Sequence, residues 1–183
     1  MTSRELLVEA LRAYQSSFNE ELKFKDQFLS LLQHERCFHR DFLPGHITGS
    51  AWIVDSKREH VLLTHHAKLN TWLQPGGHAD GDDIVLNVAL REAEEETGLT
   101  TFTLLHQSIF DIDIHLIPAR KEFPDHFHYD VRFILEADRD APLNITAESN
   151  DLQWVKLNEL ESFTDNISIL RMKQKTNDHF TWM

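Results

Sequence analysis

The chain has 183 residues, 41% of them apolar and 26% charged, a balance that fits an ordinary folded domain and neither a disordered chain nor a membrane protein. With Asp and Glu at 30 against Lys and Arg at 18, the formal charge is -12 at pH 7. Such a surface repels polyanions, so long nucleic acid is not expected as a partner, whereas a small phosphorylated ligand remains compatible once a divalent cation reverses the local sign of an acidic pocket.

A chain of this length buries roughly 70% of its unfolded surface and needs no disulfide to hold a core. Its single cysteine, Cys37, reads as a reduced thiol. Arg4, Glu5, Glu9 and Arg12 interrupt the start of the chain where a secretory signal needs an apolar run, and no stretch approaches the roughly 20 apolar residues of a membrane helix. The expected location is cytoplasmic, with no membrane partner.

In chain order, Thr2 and Glu5 form the pattern of a capping box ahead of Leu7, Leu11 and Tyr14 at helical spacing. A second helix is predicted from Asn19 as its cap, with Phe24, Phe28, Leu31 and Leu32 as an apolar stripe that needs a partner surface. That need makes a homodimer compatible. Pro44 and Gly45 break the pattern, and short β-like runs follow at Ala51 to Val54 and Val61 to Leu63. Pro75, Gly76 and Gly77 predict a tight type II turn.

A helix is predicted from about Asp83 to Thr97, capped by Asp82 and ended by Gly98. Alternating strands follow at Ser108 to Leu116 and His126 to Leu135. In the second, Phe127, Tyr129, Val131 and Phe133 are expected on a buried face opposite His126, His128, Asp130 and Arg132. Leu152 to Val155 reads as a short strand, and Asn158 and Ile167 open weaker helical patterns.

The helix after Asp83 carries the clearest chemical signal. Val85, Leu86, Ala89, Leu90 and Ala93 define its apolar face, while Glu92, Glu95 and Glu96 project together at i, i+3 and i+4. A solvated acidic surface is the plain reading of most charge runs. Here stability argues against it: like charges at i, i+4 cost about 0.2 to 0.5 kcal/mol, and acids at a helix C-terminus oppose the dipole by about 0.3 to 1 kcal/mol. A hard divalent cation with oxygen ligands relieves both penalties.

Gly77, five residues, Asp83, seven residues, then Arg91, Glu92, Ala93, Glu94, Glu95, Glu96, Thr97, Gly98 and Leu99 resemble the Nudix box. That pattern is Gly, five of any kind, Glu, seven of any kind, Arg, Glu, a bulky aliphatic, any, Glu, Glu, any, Gly and a bulky aliphatic. There are two departures. Asp83 replaces the usual Glu and also suits a first-turn acid, and Ala93 is smaller than the usual aliphatic.

The resemblance implies an α/β Nudix fold, a mixed β-sheet sandwiched between α-helices, over residues 46–183, preceded by an N-terminal helical extension over 1–45. It implies a metal-dependent hydrolase that cleaves the diphosphate linkage of a nucleoside diphosphate joined to another moiety, by water attack at phosphorus. The partner is then a small-molecule diphosphate. Glu92, Glu95 and Glu96 would bind Mg²⁺ or Mn²⁺, with Arg91 orienting a box glutamate and Glu95 and Glu96 counted in the catalytic set. Gly76 and Gly77 would shape the loop beside the metal. Glu148 resembles a later-loop carboxylate that accepts the water's proton, and an exposed loop acid is the equally weighted alternative.

His126 and His128, with Asp111, Asp113 and His115, invite a zinc reading, but without a pairing register a polar strand face lining a substrate cleft is preferred. On that face Arg132 would meet a substrate phosphate. For His65, His66 and His78, near the box, substrate contact and simple exposure stand side by side. Trp52, Trp72 and Phe110 fit a core as well as base stacking.

Two other functions share the fold by resemblance. An isoprenoid diphosphate isomerase-like enzyme would need a cysteine near its site, and Cys37 precedes the predicted domain. A diphosphate-binding regulatory module would often lack box carboxylates, and all three are present. The leaving group is not encoded in the box: Ile114 to Ile117 supply neither the proline nor the tyrosine that accompany two of the family's specificities, and Pro118 comes late.

Overall fold

The computed structural model describes residues 1–120, 123–146 and 149–180. Helix α1 (Ser3–Ala13) begins at the predicted capping box. The Thr2 hydroxyl accepts from the Glu5 amide at 3.2 Å, and Glu5 Oε2 accepts from the Thr2 amide at 2.7 Å. Helix α2 (Asn19–Leu31) starts differently from the prediction: the cap position is Phe18, with no side-chain cap, and Asn19 is already helical. Ser16 explains the difference, since its hydroxyl accepts the Phe18 amide at 2.9 Å and donates to Glu21, a local turn that substitutes for the asparagine.

Eight strands follow: β1 (Gly45–Val54), β2 (His60–His66), β3 (Thr71–Leu73), β4 (Gly76–His78), β5 (Thr103–Leu104), β6 (Asp111–Ile117), β7 (His126–Glu136) and β8 (Ser149–Lys156). They hydrogen-bond in the order β3-β2-β1-β7-β5, with β4 on β1, β6 on β7 and β8 on β2. Helix α3 (Val85–Thr97) lies between β4 and β5 in the chain, and α4 (Leu160–Phe163) and α5 (Ile167–Phe180) close it. The architecture is α/β. Among the described residues no helix is long and apolar enough to cross a membrane.

The chain forms two compact units, and β1, β7 and α3 contribute residues to both. The first unit comprises Met1–Ser50, Gly76–Ala89 and His106–Phe133. Residues 1–45, expected as an extension, share this unit with the strands that follow them. Helix α2 packs on β6, and the Phe28 ring meets Tyr129 edge-on with centroids 5.3 Å apart. Phe28, Leu31 and Leu32 are buried within the chain itself, so the stripe of α2 finds its partner without a second copy.

Glu21 ties this unit together. It is fully buried, and its Oε1 accepts from the Tyr14 hydroxyl at 2.6 Å and from the Ile112 amide of β6 at 3.2 Å. Glu21→Ala removes the acceptor from buried donors, which costs about 1 to 3 kcal/mol. A thermal melt should therefore show a drop of several degrees, and an unchanged Tm would show that water takes over the role of the carboxylate.

The second unit comprises Ala51–Pro75, Leu90–Leu105 and Ile134–Met183. Its core gathers Ala51, Ile53, Leu62, Ala93, Leu99, Leu135 and Ala137. Trp52 is fully buried there, with its indole N–H donating to the Thr176 hydroxyl of α5 at 2.9 Å. It is a core residue and has no face to offer a base.

Candidate active site

Helix α3 is placed by close approach at one end and a glycine at the other. In the first unit, a Cβ on Gly49 would lie 2.8 Å from the Val85 carbonyl and 3.1 Å from Val88 Cβ. Only glycine lets β1 come this near to the first turn of the helix. Ahead of the helix, Asp82 Oδ1 accepts the Ile84 amide at 2.9 Å. At the far end Gly98 has φ of 75° and its amide reaches the Glu94 carbonyl at 2.9 Å, the left-handed stop predicted from the sequence.

The last turns of α3 lie in the second unit. Ala93 is fully buried in that unit's core, in the cluster that also holds Leu62 and Leu135. On the flank of this face, Glu92 and Glu96 are 9% and 6% exposed, whereas the Glu95 side chain is 59% exposed. Arg91 Nη1 donates to Glu92 Oε1 at 2.6 Å and to Glu95 Oε2 at 3.4 Å. Burial works against the charge of Arg91, but Glu92 and Glu95 outweigh it and hold the guanidinium above its ordinary pKa. One cation thus orients two of the three box carboxylates, and each carboxylate keeps lone pairs for a further ligand.

The glycine pair before the helix behaves differently from the prediction. Gly76 and Gly77 are not at positive φ; they form β4, where Gly49 pairs with Gly77 and Ser50 with Gly76. A Cβ on Gly76 would fall 2.0 Å from Ser50 Oγ. The need for glycine is therefore close strand contact, and no type II turn is formed. His78, the next residue, pairs with Thr48 on β1.

Arg132 also departs from the expected role. It is 2% exposed, and its Nε donates to Asp130 at 2.7 Å while its terminal nitrogens reach Asp111 at 3.1 Å and Asp113 at 3.2 Å. Asp130 in turn accepts from the Thr48 hydroxyl at 3.0 Å and from the Ser50 hydroxyl at 2.7 Å. The guanidinium is committed to a carboxylate cage inside the first unit and has no surface for a substrate phosphate. This also corrects the expectation of a single buried face on β7: Val131 and Phe133 are buried as expected, but Asp130 and Arg132 on the other face are buried too, and Phe127 is 41% exposed. Mutual neutralisation lets a polar face sit inside the protein.

The β6 and β7 register sets Asp111 against Arg132, Asp113 against Asp130 and His115 against His128. Four of the five residues considered together from sequence divide into two groups: Asp111 and Asp113 serve Arg132, and His126 and His128 join His46 and His78. His115 touches both, with its Nδ1 3.1 Å from Asp113 Oδ2 and its ring centroid 5.5 Å from that of His128. Neither His46 nor the pairing of β1 with β4 was visible in the spacing of the histidines.

A family model described as NUDIX domain matches residues 44–175. The chain belongs to the NUDIX family. Among its relatives, m7GpppN-mRNA hydrolase NUDT17 of Xenopus laevis is 43% identical over 56 residues, covering 28% of this chain and 19% of that protein. An asymmetrical bis(5'-nucleosyl)-tetraphosphatase of Rattus norvegicus is 28% identical over 102 residues, covering 55% of this chain and 66% of that protein. The chain thus spans about a fifth of the length of the first of these relatives and about two thirds of the second. A C. elegans Ap4A hydrolase, solved as a binary complex, superposes with a TM-score of 0.61 at 15% identity over 75% of this chain and 98% of that one. At that identity the likeness concerns the NUDIX fold alone.

Of the NUDIX box, Asp83 stands before the first residue of α3, half-buried, in the first unit. Arg91, Glu92, Glu95 and Glu96 share the second. Glu148 lies outside the described residues.

Proposed function

We propose that this NUDIX protein is a divalent-cation-dependent hydrolase that cleaves the diphosphate linkage of a nucleoside diphosphate joined to another moiety. The observation that carries the reading is the end of α3, where Arg91 spans Glu92 and Glu95 beside the nearly buried Glu96. An all-carboxylate donor set suits Mg²⁺ or Mn²⁺ and no soft metal. Helix polarity disfavours acids at this end, so a cation is what makes their placement favourable.

Glu92, Glu95 and Glu96 would hold the cation, whose chemistry here is neutralisation of diphosphate oxygens and activation of water. Arg91 keeps Glu92 and Glu95 in position by charge-assisted hydrogen bonds. Gly76 and Gly77 keep the backbone before the helix flat and free of side chains. Glu148, by its resemblance to a later-loop carboxylate, would accept the water's proton. The name of the rat tetraphosphatase supports including dinucleoside polyphosphates in the substrate class. An isomerase reading gains nothing from Cys37, which is fully buried and whose thiol burial pushes up in pKa, keeping it protonated.

The test is a product assay across dinucleoside polyphosphates, nucleotide sugars, coenzyme A and nucleoside triphosphates, with Mg²⁺, with Mn²⁺ and with EDTA. Metal-dependent release of a nucleoside monophosphate together with a phosphorylated remainder is the expected result. Equal turnover in EDTA, or binding of these compounds with no product from any of them, would overturn the assignment.

A further inference from the structure

Four histidines from three strands converge in the first unit: His46 on β1, His78 on β4, and His126 and His128 on β7. One ligand nitrogen from each lies within 4.8 Å of all the others. Ring centroids are 5.0 Å apart for His46 with His126, 5.0 Å for His46 with His128 and 4.9 Å for His78 with His128. Among the described residues this is the one group of three or more His, Cys, Asp or Glu with such convergence.

The hydrogen bonds around the cluster set two of the four imidazoles in the form a metal needs. His126 Nδ1 is 2.9 Å from the Pro124 carbonyl, and His46 Nδ1 is 3.3 Å from the Phe42 carbonyl. A carbonyl only accepts, so both rings carry their proton on Nδ1 and turn an Nε2 lone pair inward. Backbone carbonyls commonly orient metal-ligating histidines in this way. His46 is fully buried, and its Nε2 has no hydrogen-bond partner. A site held together by hydrogen bonds alone would leave that nitrogen unsatisfied, at a cost of about 1 to 3 kcal/mol.

The spacing points the same way. His126 Nε2 and His128 Nε2 are 3.3 Å apart, and two nitrogens bound at about 2.0 to 2.1 Å in a tetrahedron are separated by about 3.3 to 3.4 Å. Burial also disfavours the charged form of His46, His78 and His128. Arg40, whose charge reaches His46 and His78, is paired with Asp80, which accepts from its Nε at 2.6 Å.

We propose that His46, His78, His126 and His128 form a binding site for a divalent transition-metal cation, Zn²⁺ foremost, with a ligand set that shares no residue with the carboxylates of α3. Imidazole nitrogen suits zinc and its neighbours and is a poor ligand for Mg²⁺. Four protein ligands close the coordination sphere, which marks a structural site. Its effect would be to pin β4 and β7 to β1.

The experiment uses the full chain, stripped with EDTA, dialysed and titrated with Co²⁺ as a coloured substitute for Zn²⁺. One equivalent should give the intense visible absorption of tetrahedral Co²⁺, which six-coordinate cobalt bound by carboxylates and water lacks, and one equivalent of Zn²⁺ should abolish it. His126→Asn should weaken binding on the order of a hundredfold or more. His78→Asn, at a half-buried position, provides a second variant should the first not fold. Glu96→Gln should keep the full signal. Weak absorption only, or an intense signal that survives both histidine variants, would mean that the cluster is a set of stacked neutral rings and would overturn the proposal. Neither outcome bears on the diphosphatase reading, which is read out with Mg²⁺.

Discussion

Glu96→Gln should fold like the parent protein and lose most of its turnover. The substitution keeps the volume of a nearly buried side chain and removes one anion from the set proposed to hold the cation. Stabilisation of the reacting phosphoryl group by such a cation is worth several kcal/mol, and every 1.36 kcal/mol is tenfold in rate. A fall in kcat of about a hundredfold or more is therefore expected at saturating Mg²⁺, and Glu95→Gln should act in the same direction. Circular dichroism and a metal-free melt matching the parent would show that the loss is chemical. Full activity in Glu96→Gln would remove this carboxylate from the site.

Arg132→Met should have the largest effect on stability. The parent guanidinium is surrounded by Asp111, Asp113 and Asp130, all nearly or fully buried. Burial opposes its charge, yet Asp113, Asp130 and Asp111 overcome that opposition and keep it ionised well above its usual range. Removing one partner of a buried ion pair costs about 3 to 5 kcal/mol because the remaining charge is left uncompensated. With 2 to 4 °C of Tm per kcal/mol for a chain of this size, the melt should fall by roughly 6 to 20 °C. Arg132→Lys should rescue only part of this, since an ammonium lacks the fork that reaches separate carboxylates. A variant that melts like the parent but binds substrate poorly would restore the phosphate-binding role the structure argues against.

Helix α3 was legible because its information is local. A 3.6-residue period marks the apolar face, Gly98 marks the end, and box spacing marks Arg91 and the three glutamates. The capping box of Thr2 and Glu5 was readable for the same reason. Strand pairing is not local, and most of the surprises came from it. Spacing alone puts His126 and His128 on one face of β7, but it says nothing of which strand lies alongside. The neighbours that matter, His46 and His78, are brought in by β1 and β4.

Alternation likewise identifies two faces of a strand without saying which is covered. Alternation on β7 predicts one buried side, yet its other side carries Asp130 and Arg132, which are buried as well because they and the β6 aspartates Asp111 and Asp113 neutralise one another. Gly76 looked like a turn former, because a glycine needed for close approach and one needed for positive φ read the same in sequence. Its contact with Ser50 is visible only once β4 is paired.

Whether the carboxylates of α3 hold a divalent cation is decided by a thermal melt with Mg²⁺. Both the parent and Glu92→Gln would be stripped with EDTA, dialysed and titrated, each against its own metal-free baseline, because the substitution also removes the ion pair with Arg91. Mg²⁺ prefers oxygen ligands, so the imidazole cluster does not contribute to the shift. Binding to the folded state alone at about 100 times Kd adds on the order of 2.7 kcal/mol, or roughly 5 to 10 °C in Tm. That rise is expected in the parent and a much smaller one in Glu92→Gln. Equal shifts in the two proteins would place Mg²⁺ elsewhere and leave Glu92 and Glu95 as ion-pair partners of Arg91 with no role in metal binding.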